Sequence, residues 1–282
     1  MNTRPKVTVA ALQNKKRSHQ KITLLTAYDF PMASFLDQAG IDIVLVSDAV
    51  GTIGNGRPEA VSVTVDEMVY HTRAVRNGVK TALVVTTLPF GSYNNVGEAV
   101  GNATQIMKEG RADAVHLEGT ARSAEIVRSI VETGIPVLGH VGVTKQRIVS
   151  SGNISLPAKD AESSKIMIND AMAMAKNGAF GLIIECLPVS LSEIITRSLD
   201  IPVISIGSGV HCDGQGLVTH DMLGLFKELS PRFLKVYADL QQVTVSALTQ
   251  FRKEVESGQF PTEQHSYGLD DQELDRLLKN LD

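Results

Sequence analysis

Apolar residues recur along this chain in short unbroken runs of four or five, each followed by a stretch with helical spacing. Ile22–Thr26, the run ending at Asp48, Leu83–Thr87, Ala114–Glu118, the run ending at His140, the run ending at Glu185 and Pro202–Ile206 give seven strand candidates. An eighth is weakly suggested near Gly216–Thr219. None alternates apolar with polar residues, as expected of strands buried on both faces in a parallel sheet. Between them, Val65, Met68, Val69, Thr72 and Val75 share one helical face, as do Val127, Ile130 and Val131. Val96, Val100, Ala103 and Met107 make a third apolar stripe. Gly40, Gly78, Gly110, Gly134 and Gly178 fall where these helices should end, a position glycine favours because it adopts the left-handed conformation without steric cost.

Strand and helix alternating in one uninterrupted series predict a closed α/β barrel, a (β/α)8 TIM barrel, more readily than a doubly wound sheet. The whole chain, 1–282, reads as a single barrel domain with an N-terminal capping helix around Val7 to Asn14. A helical extension from about residue 239 to Ser257 and a charged tail from Asp270 follow the barrel. The polar stretch Lys145–Asp160 after the fifth strand has the length of a lid or binding loop.

The 282 residues are 43% hydrophobic and 21% charged, enough for a sizeable core. A net charge of -4 argues against a nucleic-acid partner. No apolar run has the roughly 20 residues that cross a bilayer. The two cysteines, Cys186 and Cys212, form no metal or disulfide pattern, which favours a reducing, cytoplasmic setting. The basic, acid-free segment Met1–Lys21 shares the charge pattern of a mitochondrial transit peptide, or serves the capping helix.

The strand ends carry the candidate chemistry, because parallel barrels place their active sites at the carboxyl ends of the strands. Asp48, Thr87, Glu118, His140 and Glu185 would face one mouth. Asp48 and Glu118 suit a hard ion such as Mg²⁺, which binds through one or two carboxylates and substrate oxygens. Glu185, between Ile184 and Cys186, suits a general base whose pKa is lifted by burial. Any one of these acids alone reads equally well as a cap for the helix that follows. The Gly207-Ser208-Gly209 turn after the seventh strand suits close backbone approach to a ligand, and Gly139 and Gly142 suit tight packing at the mouth.

Several motifs in order from about Thr8 to Tyr267 resemble the ketopantoate hydroxymethyltransferase family. They include Thr26-Ala27-Tyr28-Asp29, Leu88-Pro89-Phe90, Gly139-His140-Val141-Gly142, Glu185-Cys186-Leu187-Pro188, Ile206-Gly207-Ser208-Gly209 and His220-Asp221. The resemblance implies a barrel of the phosphoenolpyruvate mutase/isocitrate lyase superfamily, a cytoplasmic homo-oligomer (a decamer) and a role in pantothenate synthesis. It implies transfer of a one-carbon unit from 5,10-methylenetetrahydrofolate to 3-methyl-2-oxobutanoate, with Mg²⁺ on the substrate oxygens. By position, Asp48 and Glu118 match the metal-site acids, Glu185 the base that forms the enolate, and His140 a substrate-contacting histidine. Three substrate-end positions depart from the family pattern. Ala49 stands in place of a serine, Thr87 in place of a second metal-binding aspartate, and His116 in place of a lysine. The loop from Arg147 to Lys159 also differs. These departures keep two alternatives open: related enolate chemistry on a different 2-oxo acid, and a barrel that no longer catalyses.

Overall fold

The structure, a computed structural model, describes residues 4–144, 156–226 and 231–281. Eight parallel strands close into a barrel in chain order: β1 (Ile22–Thr26), β2 (Ile43–Val46), β3 (Leu83–Thr87), β4 (Ala114–Glu118), β5 (Val137–Gly142), β6 (Gly181–Glu185), β7 (Val203–Ile206) and β8 (Gly214–Leu217). The helices are α1 (Val9–Arg17), α2 (Phe30–Gln38), α3 (Val50–Ile53), α4 (Val65–Gly78), α5 (Val96–Gln105), α6 (Ala124–Glu132), α7 (Ala161–Lys176), α8 (Val189–Ser198), α9 (Thr219–Met222), α10 (Leu240–Glu256) and α11 (Asp271–Lys279). The greater part of the loop expected at Lys145–Asp160 lies outside the described residues, as does most of Arg147–Lys159.

Each strand sends alternate residues inward and outward. Leu24, Ile43, Leu45, Leu83, Val85, Ala114, Leu138, Ile183 and Ile204 fill the interior as one cluster. Val44, Val46 and Val84 pack outward on Met68 and Val75 of α4. Val115, Leu117, Val137, Leu182 and Ile184 form the outer layer elsewhere. Both faces are dry, so the strands read as unbroken apolar runs. The seam between β8 and β1 is different. A Cβ at Gly214 would lie 2.5 Å from the Ile22 carbonyl oxygen, so close backbone approach replaces side-chain packing there. This is why the eighth strand is faint in the sequence, and it begins two residues before the stretch first suggested.

Of the helix-ending glycines, Gly40, Gly134 and Gly178 take positive φ. Gly78 does not: it closes α4 in contact with α2, where a Cβ would stand 2.6 Å from the Phe30 carbonyl oxygen.

The basic N-terminal segment is bound to the barrel floor. Leu12 of α1 is buried. Lys15 pairs with Asp42 at 2.7 Å and Arg4 also pairs with it, while Lys6 reaches Asp113 at 2.6 Å and Lys16 reaches Asp213 at 2.8 Å. Each acid lies immediately before a strand, so one run of cations ties together the starts of β2, β4 and β8. Burial pushes the Asp42 carboxyl up, but the Lys15 bond, the Thr23 amide and the Arg4 charge outweigh it, and the group sits below the usual carboxylate range.

Candidate active site

The inward alternation that fills the core also delivers the site. Val85 faces the interior, so Thr87 does too; Ala114 likewise directs His116 and Glu118 inward. Leu138 sets His140 and Ile183 sets Glu185 on the same face. Strand register then levels the neighbours: Thr87 stands beside His116, Glu118 beside His140, and Gly142 beside Glu185. Asp48 arrives differently. It lies in the turn beyond β2, two residues past the strand, and is 2% exposed. Ala49 follows it as the residue that opens α3.

Ala49, Thr120 and Pro188, and not the acids, occupy the N-cap positions after β2, β4 and β6. Thr87, His116, Glu118 and His140 are all buried at the top of the barrel. Thr87 Oγ1 lies 2.9 Å from His116 Nδ1, and His116 Nε2 lies 3.2 Å from His140 Nδ1. His140 Nε2 stands 3.2 Å from Glu185 Oε2. That last approach is close but off-axis, and the buried Nε2 makes no hydrogen bond of good geometry.

Glu185 is less enclosed than its apolar neighbours suggest, with 27% of its side chain open to the mouth. Its backbone is held on two sides. Gly142, at φ 117°, passes so close that a Cβ would lie 2.2 Å from the Glu185 carbonyl oxygen. Cys186 takes φ 55°, an uncommon conformation for a residue with a side chain, and its amide donates to the Ile206 carbonyl at 2.9 Å. Burial pushes the Cys186 thiol up to about 11, helped by the Glu185 charge, so it stays a thiol at neutral pH.

The Gly207-Ser208-Gly209 turn serves packing. Phe233 fills the space above Gly207, where a Cβ would come within 2.5 Å of its ring. The Ser208 hydroxyl is tied to the Ile184 carbonyl and the Leu187 amide. The close approach expected there is made by the protein itself.

Beyond the strand-end residues, Tyr28, Ser47 and His220 gather near the ends of β1, β2 and β8. The Tyr28 hydroxyl and Ser47 Oγ are 3.0 Å apart, and the Tyr28 and His220 rings meet at a tilt of 30° with centroids 5.5 Å apart. Burial pushes Asp221 up to about 6. Tyr28 and His220 sit beyond the strands, so no apolar run points to them; only the family motifs include them. Beside the ends of β3 and β4, a cleft of about 380 Å³ is lined by Phe90, Tyr93, Asn94, Arg122 and Ile126.

Among the described residues, no three His, Cys, Asp or Glu side chains gather as a metal cage. The donors at the mouth are nonetheless hard oxygens, the carboxylates of Asp48 and Glu118 and the hydroxyl of Thr87. That set fits Mg²⁺, which completes its shell with water and substrate oxygens.

Acids and histidines collected at the carboxyl end of a closed parallel barrel define a (β/α)8-barrel enzyme. Solved structures agree on the fold. The phosphoenolpyruvate phosphomutase of Streptomyces platensis subsp. rosaceus superposes with a TM-score of 0.62 at 15% identity, covering 96% of this chain and 97% of that one. A 2,3-dimethylmalate lyase, a member of the PEP mutase/isocitrate lyase superfamily, gives 0.60 at 15% identity over 98% of each chain. The family described as ketopantoate hydroxymethyltransferase matches residues 6–263. The 3-methyl-2-oxobutanoate hydroxymethyltransferase of Moorella thermoacetica is 46% identical over 269 residues, 95% of this chain and 100% of that one. The protein of the same name from Carboxydothermus hydrogenoformans is 43% identical over 273 residues, 96% of this chain and 99% of that one. The chain belongs to the ketopantoate hydroxymethyltransferase family.

Proposed function

We propose that this chain transfers a hydroxymethyl group from 5,10-methylenetetrahydrofolate to 3-methyl-2-oxobutanoate, giving ketopantoate for pantothenate synthesis. The observation that carries the reading is Glu185, partly open at the mouth, with a buried imidazole N at 3.2 Å, while the buried carboxylates of Asp48, in the turn beyond β2, and Glu118, at the end of β4, lie at the same end of the barrel. Glu185 takes the proton from C3 of the oxo acid, which requires a base held about 3 Å from it. His140 turns its Nε2 toward a substrate oxygen. The C3 carbon, now carrying the electron pair, bonds to the folate methylene carbon as one of that carbon's two bonds to folate nitrogen breaks, and the freed nitrogen takes up the proton that Glu185 removed. Water then displaces the second folate nitrogen, leaving its hydroxyl on the transferred carbon and its proton on tetrahydrofolate. Asp48 and Glu118, with Thr87 as a neutral third oxygen, would hold Mg²⁺, and a bound divalent ion polarises the keto group and so acidifies C3. The cleft with Phe90 and Arg122 suits the aromatic and anionic arm of a folate.

Thr87 and His116 bond each other at the substrate's acid end, where the family pattern has two opposite charges. This favours, as a second reading, the same chemistry on a 2-oxo acid with a different tail. We also assign a cytoplasmic homo-oligomer. Val243, Leu248, Phe251 and Val255 leave an apolar face of α10 open, as a subunit contact would require.

Calorimetric titration with Mg²⁺ tests the site. Binding should tighten at least about 10-fold when 3-methyl-2-oxobutanoate is present, because the substrate supplies ligands the protein lacks. Equal binding with and without the oxo acid would contradict the assignment.

A further inference from the structure

Thr87, His116, His140 and Glu185 come from the successive strands β3, β4, β5 and β6, and their polar atoms form one line. A neutral imidazole carries one N–H and one lone pair, so the line has two consistent wirings. In the first, the Thr87 hydroxyl donates to His116 Nδ1 and His116 Nε2–H donates to His140 Nδ1. His140 then carries its proton on Nε2, toward Glu185. In the second, every bond is reversed, and a bare lone pair of His140 Nε2 faces the Glu185 carboxylate at 3.2 Å.

An ionised carboxylate beside that nitrogen attracts an N–H and repels a lone pair, so the first wiring is favoured. Thr87 is the far anchor, because its hydroxyl can supply a proton to His116 Nδ1 while its lone pairs stay available. The first wiring leaves one group unmatched, and the structure shows it: His140 Nε2 is buried and has no hydrogen-bond partner. A buried donor without an acceptor is unfavourable, a deficit that an arriving oxygen removes.

We propose that Thr87 and His116 are positioning residues that hold His140 as its Nε2–H tautomer, aimed at a substrate oxygen in front of Glu185. The inference rests on the reading of Glu185 as the base. It gives Thr87 and His116 a task set by the direction of hydrogen bonds and not by charge, and that task needs no metal.

The test is magic-angle-spinning NMR of the full-length protein labelled with ¹⁵N-histidine, with the His140 signal assigned from its loss in His140→Asn. Ring-nitrogen shifts separate the two tautomers and the doubly protonated ring. The native protein should show His140 with its proton on Nε2. His116→Phe should leave a mixture and slow C3 proton exchange of the oxo acid by roughly 10- to 100-fold, chiefly in kcat. His116→Gln, whose amide both accepts from Thr87 and donates to His140, should recover most of both signals. Thr87→Val, nearly isosteric and so the variant safest to fold, should shift the tautomer balance in the same direction as His116→Phe. A native His140 protonated on Nδ1 alone, or on both nitrogens, would overturn the proposal. So would unchanged tautomers and kcat in both His116→Phe and Thr87→Val. If the tautomers behave as expected but Glu185→Gln exchanges normally, the base assignment fails while the positioning line stands.

Discussion

Glu185→Gln should remove proton exchange at C3 of 3-methyl-2-oxobutanoate in D2O, lowering its rate by about 10²- to 10⁴-fold, the usual contribution of a positioned general base. The substitution keeps the shape of the side chain and takes away only its capacity to accept a proton. The barrel should survive it, because the Glu185 backbone is fixed by Gly142 on one side and the Cys186 turn on the other. The new side-chain amide still fits beside His140, so substrate affinity should change little while kcat collapses. Mg²⁺ binding should persist as well, because the ion's ligands are assigned to Asp48 and Glu118 on other strands. Proton NMR follows the loss of the C3 signal directly. Exchange at the native rate would remove Glu185 from the role of base.

Asp42→Ala should produce the largest loss of stability at the barrel floor. The Asp42 residue is 1% exposed and accepts from Lys15 at 2.7 Å, from Arg4, and from the amide and hydroxyl of Thr23 at 2.9 and 3.1 Å. Removing it strands two cations and two neutral donors. The cost should be about 3 kcal/mol, the low end for a buried pair, because Lys15 and Arg4 retain about a quarter of their exposure. Chemical denaturation should register it as a lower midpoint. The pH dependence has a definite sign. The folded carboxyl lies below its unfolded value, so its stabilisation is complete above the unfolded pKa of about 3.9 and fades as pH falls through the lower, folded value. The native protein should lose that increment below about pH 4, and the variant's acid limb should be correspondingly shallower. Equal midpoints at neutral pH would show that the N-terminal clamp contributes nothing.

The barrel was legible because its strands are dry on both faces: runs such as Ile43–Val46 and Ala114–Glu118 end where the polar layer begins. Inward alternation from Val85 to Thr87 and from Leu138 to His140 then fixed which strand ends share the mouth. Asp48 was placed there for a different reason, since a turn and not the strand carries it. The seam at β8 was faint because Gly214 makes way for the Ile22 backbone and Gly216 for the Leu24 and Ile206 side chains, a signal that hydrophobicity does not carry. Gly78 does end a helix, but it is small because the Phe30 carbonyl of α2 stands against it, and Gly207 looks like a ligand turn in sequence yet makes way for the Phe233 ring. The pairings of Thr87 with His116 and of His116 with His140 depend on register between strands, which no stretch of sequence states. Tyr28 and His220 meet across the seam, almost the whole length of the barrel apart in the chain.

This mouth should still perform one-carbon transfer on a branched 2-oxo acid despite Ala49, Thr87 and His116. The most direct measurement is product formation by the purified protein supplied with 3-methyl-2-oxobutanoate, 5,10-methylenetetrahydrofolate and Mg²⁺, followed by mass spectrometry. The predicted result is ketopantoate in native protein, lost on chelation of the metal and lost in Glu185→Gln. Proton exchange at C3 without any ketopantoate, or neither exchange nor product under saturating substrate and metal, would contradict it.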